Sequence, residues 1–175
     1  MSLPAVQEQL DRAMKLLPKL PYLEVLTLSG TLVTDRQMAH VAPCRNLTSL
    51  VLKNTALGDA TLEHLTPLHQ LQTLYLYQTK ITTAGLNRIG QLTSLIILDL
   101  SKTAIRGDLA ELSPLKNLQH LLLRRVALSD DAVETLSQLQ SLSRLSVNNS
   151  QLSDQAIFKL KKAKPGIQID GAETR

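Results

Sequence analysis

One leucine pattern recurs six times along this chain and constrains its fold more than any other feature. Blocks opening at Leu23, Leu47, Leu71, Leu95, Leu118 and Leu142 read "LEVLTLSGTLV", "LTSLVLKNTAL", "LQTLYLYQTKI", "LIILDLSKTAI", "LQHLLLRRVAL" and "LSRLSVNNSQL". Their starts lie 24 residues apart, with one step of 23 after the fourth block. Each opens on an apolar beat of period two, as a strand requires, and closes on a helical half such as "GDATLEHLTPLHQ". A single unit of this kind cannot bury its own apolar edge, so the copies must stack into a solenoid.

Composition fits stacking. Hydrophobic residues make up 43% of the chain but aromatics only 2%, so leucine fills the interior, as identical cells packed by identical side chains allow. A length of 175 residues suits one well-buried domain. The single cysteine, Cys44, excludes an intrachain disulfide, a cysteine metal cluster and a haem-attachment motif. Cys44 takes the place that Leu68, Leu92, Leu115 and Leu139 take in later blocks, so it reads as a small buried hydrophobe. No run approaches the roughly 18 apolar residues of a membrane span. The opening "MSLPAVQEQLDRAMKLL" carries charges throughout and lacks the apolar centre of a signal peptide. A net charge of +4 is too small to argue for nucleic acid. The seven glycines are scattered and form no phosphate-binding loop.

The pattern L-x-x-L-x-L-x-x-T-x-L over residues 23–165 resembles the leucine-rich repeat family. The resemblance implies an α/β solenoid with a parallel concave β-sheet and short convex helices, six repeats between two caps. Residues 1–22 are expected to form an N-terminal capping helix, with Val6, Leu10, Met14 and Leu17 at helical spacing over 4–17. Residues 166–175 are expected to form a last strand around Ile167 and Ile169 and then a fraying tail. The whole chain, 1–175, then makes a single domain. The ninth position, often asparagine in the family, reads Thr31, Thr55, Thr79, Thr103, Val126 and Ser150. Hydroxyls there are expected to bond backbone where the chain leaves the strand, with a gap at Val126. Threonine at this position also resembles 24-residue bacterial repeats in large exported multidomain proteins, some of which carry c-type cytochrome modules.

The helical halves open with "TDRQM", "GDATL", "SDDAV" and "SDQAI", whose serine, threonine and aspartate are expected to cap first turns. A residue missing between Ile105 and Leu109 predicts a tighter convex turn in the fourth block. His40 and His64 share one convex position with Arg88, which would repel a cation, so they read as solvated surface rather than a metal site.

Register assigns the outward face. With leucines inward, positions three, five and seven of each block look to the concave side. Tyr75 and Tyr77, two of only three tyrosines, hold positions five and seven of the third block. Adjacent strands about 4.8 Å apart place Lys53, Tyr77, Ser101 and Arg124 in one row, and Val51, Tyr75, Asp99 and Leu122 in another. Ile97, His120 and Arg144 lie in the row at position three. This face is expected to be positive, with Asp99 its single acid, while Asp35, Asp59, Glu63, Glu111, Asp130, Asp131 and Glu134 gather on the helical side.

The reading that follows is a non-enzymatic module binding an acidic protein or peptide. Tyr75 and Tyr77 would anchor the partner, and Lys53, Arg124 and Arg144 would steer it. No catalytic residue, metal or cofactor is expected. Although His120, Asp99 and Ser101 lie in neighbouring blocks, an open sheet offers neither pocket nor oxyanion site. The alternatives are a structural or accessory domain of a larger exported bacterial protein, and a surface for an anionic polymer. Nucleic acid is disfavoured and a monomer expected; the sequence does not choose between cytoplasm, periplasm and export.

Overall fold

A computed structural model describes residues 3–171. Among these residues nine short strands occur: β1 (Val25–Thr27), β2 (Ser49–Val51), β3 (Thr73–Tyr75), β4 (Ile97–Asp99), β5 (Arg106–Gly107), β6 (His120–Leu122), β7 (Ala127–Leu128), β8 (Arg144–Ser146) and β9 (Gln168–Asp170). Seven make one parallel sheet in the order β1-β2-β3-β4-β6-β8-β9. Its register places Leu26, Leu50, Leu74, Leu98, Leu121, Leu145 and Ile169 side by side. Leucines at positions one, four and six of blocks two to five are buried, as period-two alternation requires. Fully burying one such leucine contributes about 1.5–3 kcal/mol. Cys44 lies in the same core, its Sγ 3.8 Å from the His40 carbonyl oxygen, and burial pushes its thiol pKa up.

Inter-strand bonding continues past each strand to position eight, where Asn54 N donates to Tyr77 O and Gln78 N to Ser101 O. There the chain turns left-handed in every block. Gly30, Asn54, Gln78, Lys102, Arg125 and Asn149 have φ between 55° and 66°. In the first four blocks the ninth-position threonine hydroxyls close this turn. Thr31, Thr55, Thr79 and Thr103 donate to the carbonyls of Leu28, Leu52, Leu76 and Leu100, at 2.6–2.8 Å. Val126 has no hydroxyl to offer and is buried instead.

The helical halves are short. They comprise α2 (Ala60–Glu63), α3 (Leu86–Ile89), α4 (Ala132–Gln138) and α5 (Asp154–Ala163), with 3-10 turns at Gln37–His40, Thr83–Gly85 and Ala110–Leu112. Their expected capping is only partly right. Ser153 does cap, accepting from the N–H of Ala156, and Thr82, which the sequence did not single out, caps the third block by accepting from the N–H of Ala84. Asp35, Asp59 and Asp130 instead reach into the following block. Asp35 accepts from Gly58 N and the Thr61 hydroxyl, Asp59 from Thr82 N and hydroxyl, and Asp130 from Ser153 N and hydroxyl. A carboxylate has the lone pairs for two donors, and the neighbouring block supplies both.

The fourth block, one residue short, is rebuilt. Its convex segment begins as β5, paired in parallel with β7, and passes through Leu109 at φ 63° into the 3-10 turn Ala110–Leu112. This turn presses against the third block at Gly90, where a Cβ would overlap the Glu111 carbonyl oxygen.

Helix α1 (Leu3–Leu16) and a 3-10 turn at Leu17–Lys19 precede the first block. Met14 and Leu17 are buried, and Asp11 accepts a hydrogen bond from Gln37 in the first block's convex turn. Beyond β9, the tail expected to fray, residues 172–175, lies outside the described residues.

Candidate functional site

The face of the sheet turned away from the helices carries the residues singled out in the sequence. Register sets Val51, Tyr75, Asp99 and Leu122 in one row and Ile97, His120 and Arg144 in the next. Lys53, Tyr77, Ser101 and Arg124 follow at position seven, two residues further along each chain. Leu74 and Leu76 are fully buried, whereas Tyr75 and Tyr77 between and beyond them are half-exposed.

Both rings are already engaged by cations. Lys53 Nζ lies 4.1 Å from the centroid of Tyr75, and Lys102 Nζ lies 4.9 Å from that of Tyr77. Such a contact needs the ammonium over the ring face, and it holds ring and lysine stem in one orientation. Lys102 gains its position from the left-handed turn at position eight. No alternation rule applied to a strand predicts that placement. The result is a strip of two aromatic rings flanked by two ammonium groups.

Asp99 needs correction. It keeps its register position between Tyr75 and Leu122, yet it is 2% exposed. Its Oδ1 accepts the backbone N–H of Ser101 at 3.0 Å. Ser101, at 0% exposed, in turn accepts the backbone N–H of Arg124 at 3.1 Å through its hydroxyl. Two short side chains beside large ones are overshadowed, so they serve the backbone beneath the face rather than offering polar contacts. His120 takes part in neither bond.

An acid does occur on this face, in the last strand. Asp170 in β9 pairs with Ser146 in register and is exposed. Counting one more block of 24 from Ser146 would have reached it. The basic end of the face lies beside it. His120, Ser143, Arg144, Gly166 and Gln168 line a concavity of about 300 Å³, and Arg124 and Arg144 are exposed.

On the convex side, Arg88 pairs with Glu63 at 3.1 Å, and His40 and His64 are half-buried. Among the described residues no three His, Cys, Asp or Glu side chains cluster as metal ligands would.

No family model and no curated protein match the chain. Solved structures do. An internalin from Listeria monocytogenes superposes with TM-score 0.69 at 23% identity, covering 87% of this chain and 48% of its own. A leucine-rich repeat protein of Leptospira interrogans gives 0.63 at 23%, covering 89% and 50%. A plant peptide hormone receptor in complex with RGF2 gives 0.58 at 20%, covering 89% and 29%. The chain thus spans about half the length of the first of these and a smaller part of the receptor. At such identities the shared property is architecture: this chain is folded as a leucine-rich repeat solenoid.

Proposed function

We propose that the chain is a protein-interaction module whose open sheet face binds an acidic peptide or protein segment. The observation that carries this reading is the strip of Tyr75 and Tyr77, each stacked with a lysine, on a face whose neighbours Val51, Ile97 and Leu122 are half-exposed. Tyrosine brings large contact area at small entropic cost, and a lysine over its ring can turn to a carboxylate without leaving the aromatic surface. Arg124 and Arg144 extend the positive charge along the sheet and favour an extended, acidic partner. The receptor with which the chain shares its fold was solved with a bound ligand, which is consistent with such a role for the architecture.

The test is a fluorescence-anisotropy screen against extended peptides of graded acidity, with wild type and the Tyr75→Ala/Tyr77→Ala double variant in parallel. Wild type is expected to bind acidic peptides with an affinity that falls as salt rises. The double variant is expected to lose at least tenfold at an unchanged unfolding midpoint. Equal binding by both proteins, or no preference for acidic peptides, would sink the reading.

A further inference from the structure

The first strand is less covered than the strands behind it. Leu50, Leu74, Leu98, Leu121 and Leu145 are at most 1% exposed. Their counterpart in β1, Leu26, is only partly buried, and so is Leu23. Helix α1 packs on the helical half of this end, at the turn Gln37–His40, and the strand half is left partly bare. Around the bare half, Leu16, Leu20, Tyr22 and Val25 are 54%, 48%, 88% and 59% exposed. Among the described residues, four of the seven exposed large hydrophobic side chains fall between residues 16 and 25. A patch of that kind marks an interaction surface.

The backbone beside the patch is also unpaired. Among the described residues β1 pairs with β2 alone. Leu28 N and Gly30 N donate to Val51 O and Lys53 O, and Glu24 O accepts from Thr48 N and Ser49 N. Parallel pairing alternates, so the N–H and C=O groups of Val25, Thr27 and Ser29 point to the free edge. None of these three carries a charge, so the edge lacks a usual device against strand addition.

We infer that this end docks a second copy of the chain, β1 against β1, antiparallel about a two-fold axis normal to the sheet. The opposite end argues for self-pairing over head-to-tail stacking. Gln168 and Asp170 of β9 are exposed, and the neighbouring concavity of about 620 Å³ is lined mostly by polar residues, Asn148, Asn149, Ser150, Gln151, Ser153 and Asp154, beside Val147, Leu152 and Ile157. That polar end does not complement this apolar one, whereas an antiparallel pair centred on Thr27 brings Tyr22 of one copy toward the exposed Leu32 of the other, and an isologous contact closes at two. Thr27 then faces its own mate and Val25 faces Ser29, with no like charges across the junction. The two sheets continue with their open faces on the same side, so the tyrosine strips stay uncovered. This departs from the monomer expected from the sequence.

Sedimentation velocity over a dilution series of the whole chain tests the inference. The expected result is a reversible dimer. Thr27→Lys, which sets two ammonium groups opposite each other, should raise its dissociation constant at least tenfold, and Tyr22→Glu should do the same. Phe158→Ser, an exposed apolar residue on α5, should leave it unchanged. Circular dichroism and the unfolding midpoint of each variant separate lost pairing from lost folding; Thr27 and Tyr22 are exposed, so folding should persist. A monomer at every soluble concentration would overturn the inference. So would a dimer indifferent to both edge substitutions, or assembly that grows beyond two copies, the mark of head-to-tail stacking.

Discussion

Asp59 grips Thr82 twice, its carboxylate accepting the backbone N–H at 2.8 Å and the hydroxyl at 2.6 Å. The two residues lie 23 apart in sequence and belong to successive blocks. Leucine packing alone lets neighbouring blocks slide, because one apolar contact resembles the next. A charge-assisted pair of bonds does not tolerate sliding. Asp59→Ala removes both bonds and leaves the half-buried Thr82 N–H without its partner. Equilibrium urea unfolding is expected to show a loss of about 2 kcal/mol, in the range for hydrogen bonds to a charged group. Asp59→Asn, which keeps one acceptor, should lose less.

The equivalent contact between Asp130 and Ser153 is exposed and reports through titration instead. Hydrogen bonds from the Ser153 hydroxyl and then its backbone N–H hold the Asp130 carboxyl below its ordinary pKa, with Lys159 adding a smaller pull in the same direction. A carboxylate lowered on folding contributes stability above its unfolded pKa, and that contribution is lost as pH falls through the lower, folded value. The loss therefore belongs to the acid side of the ordinary aspartate range. Ser153→Ala should move the Asp130 carboxyl titration, followed by NMR, upward toward its ordinary value. An unchanged titration would show that the hydroxyl is not the main cause.

Position eight offers a stabilising substitution. Gln78 holds φ 55°, a region costing a side-chain-bearing residue roughly 1 kcal/mol that glycine does not incur. Its side chain is exposed. Gln78→Gly is expected to raise stability by about 0.5 kcal/mol, part of the gain being offset by the freer unfolded chain. The reverse change at the equivalent position, Gly30→Val, should destabilise. Thermal unfolding of both variants beside wild type checks the pair.

Gly90 permits the rebuilt fourth block to close on the third. Because the atom facing it is the Glu111 backbone carbonyl, no side chain can turn away to make room. Gly90→Ala is expected to cost about 1–3 kcal/mol, as overpacking does, and to speed hydrogen exchange in the turn at Ala110–Leu112. An alanine variant as stable as wild type would show that this turn has slack.

Much of this was legible in residue order. Burial of Leu74 and Leu76 with exposure of Tyr75 and Tyr77 follows from alternation, and the repeat carries it from block to block. The truncated fourth block was visible as a missing residue near Ile105, though its replacement by paired β5 and β7 was not. Asp99 shows where local reasoning stopped. Its face was read correctly, but its burial depends on side chains one strand away on either side. The aspartates at the helix starts were assigned to their own helices because that rule is local, while Thr61, Thr82 and Ser153 compete for them from the next block.

The chain's order by itself determined period and phase: which side chains face the packed interior and which the open sheet. That information is written in spacing, and a strand or a stacked repeat obeys spacing wherever it occurs. Tertiary structure decided the occupancy of each outward position, from the lysines over the two tyrosine rings to the half-open Leu23 and Leu26 of the first block. Those outcomes depend on which neighbour arrives alongside and how large it is, and residues 23 or 24 apart become neighbours only when the solenoid has formed.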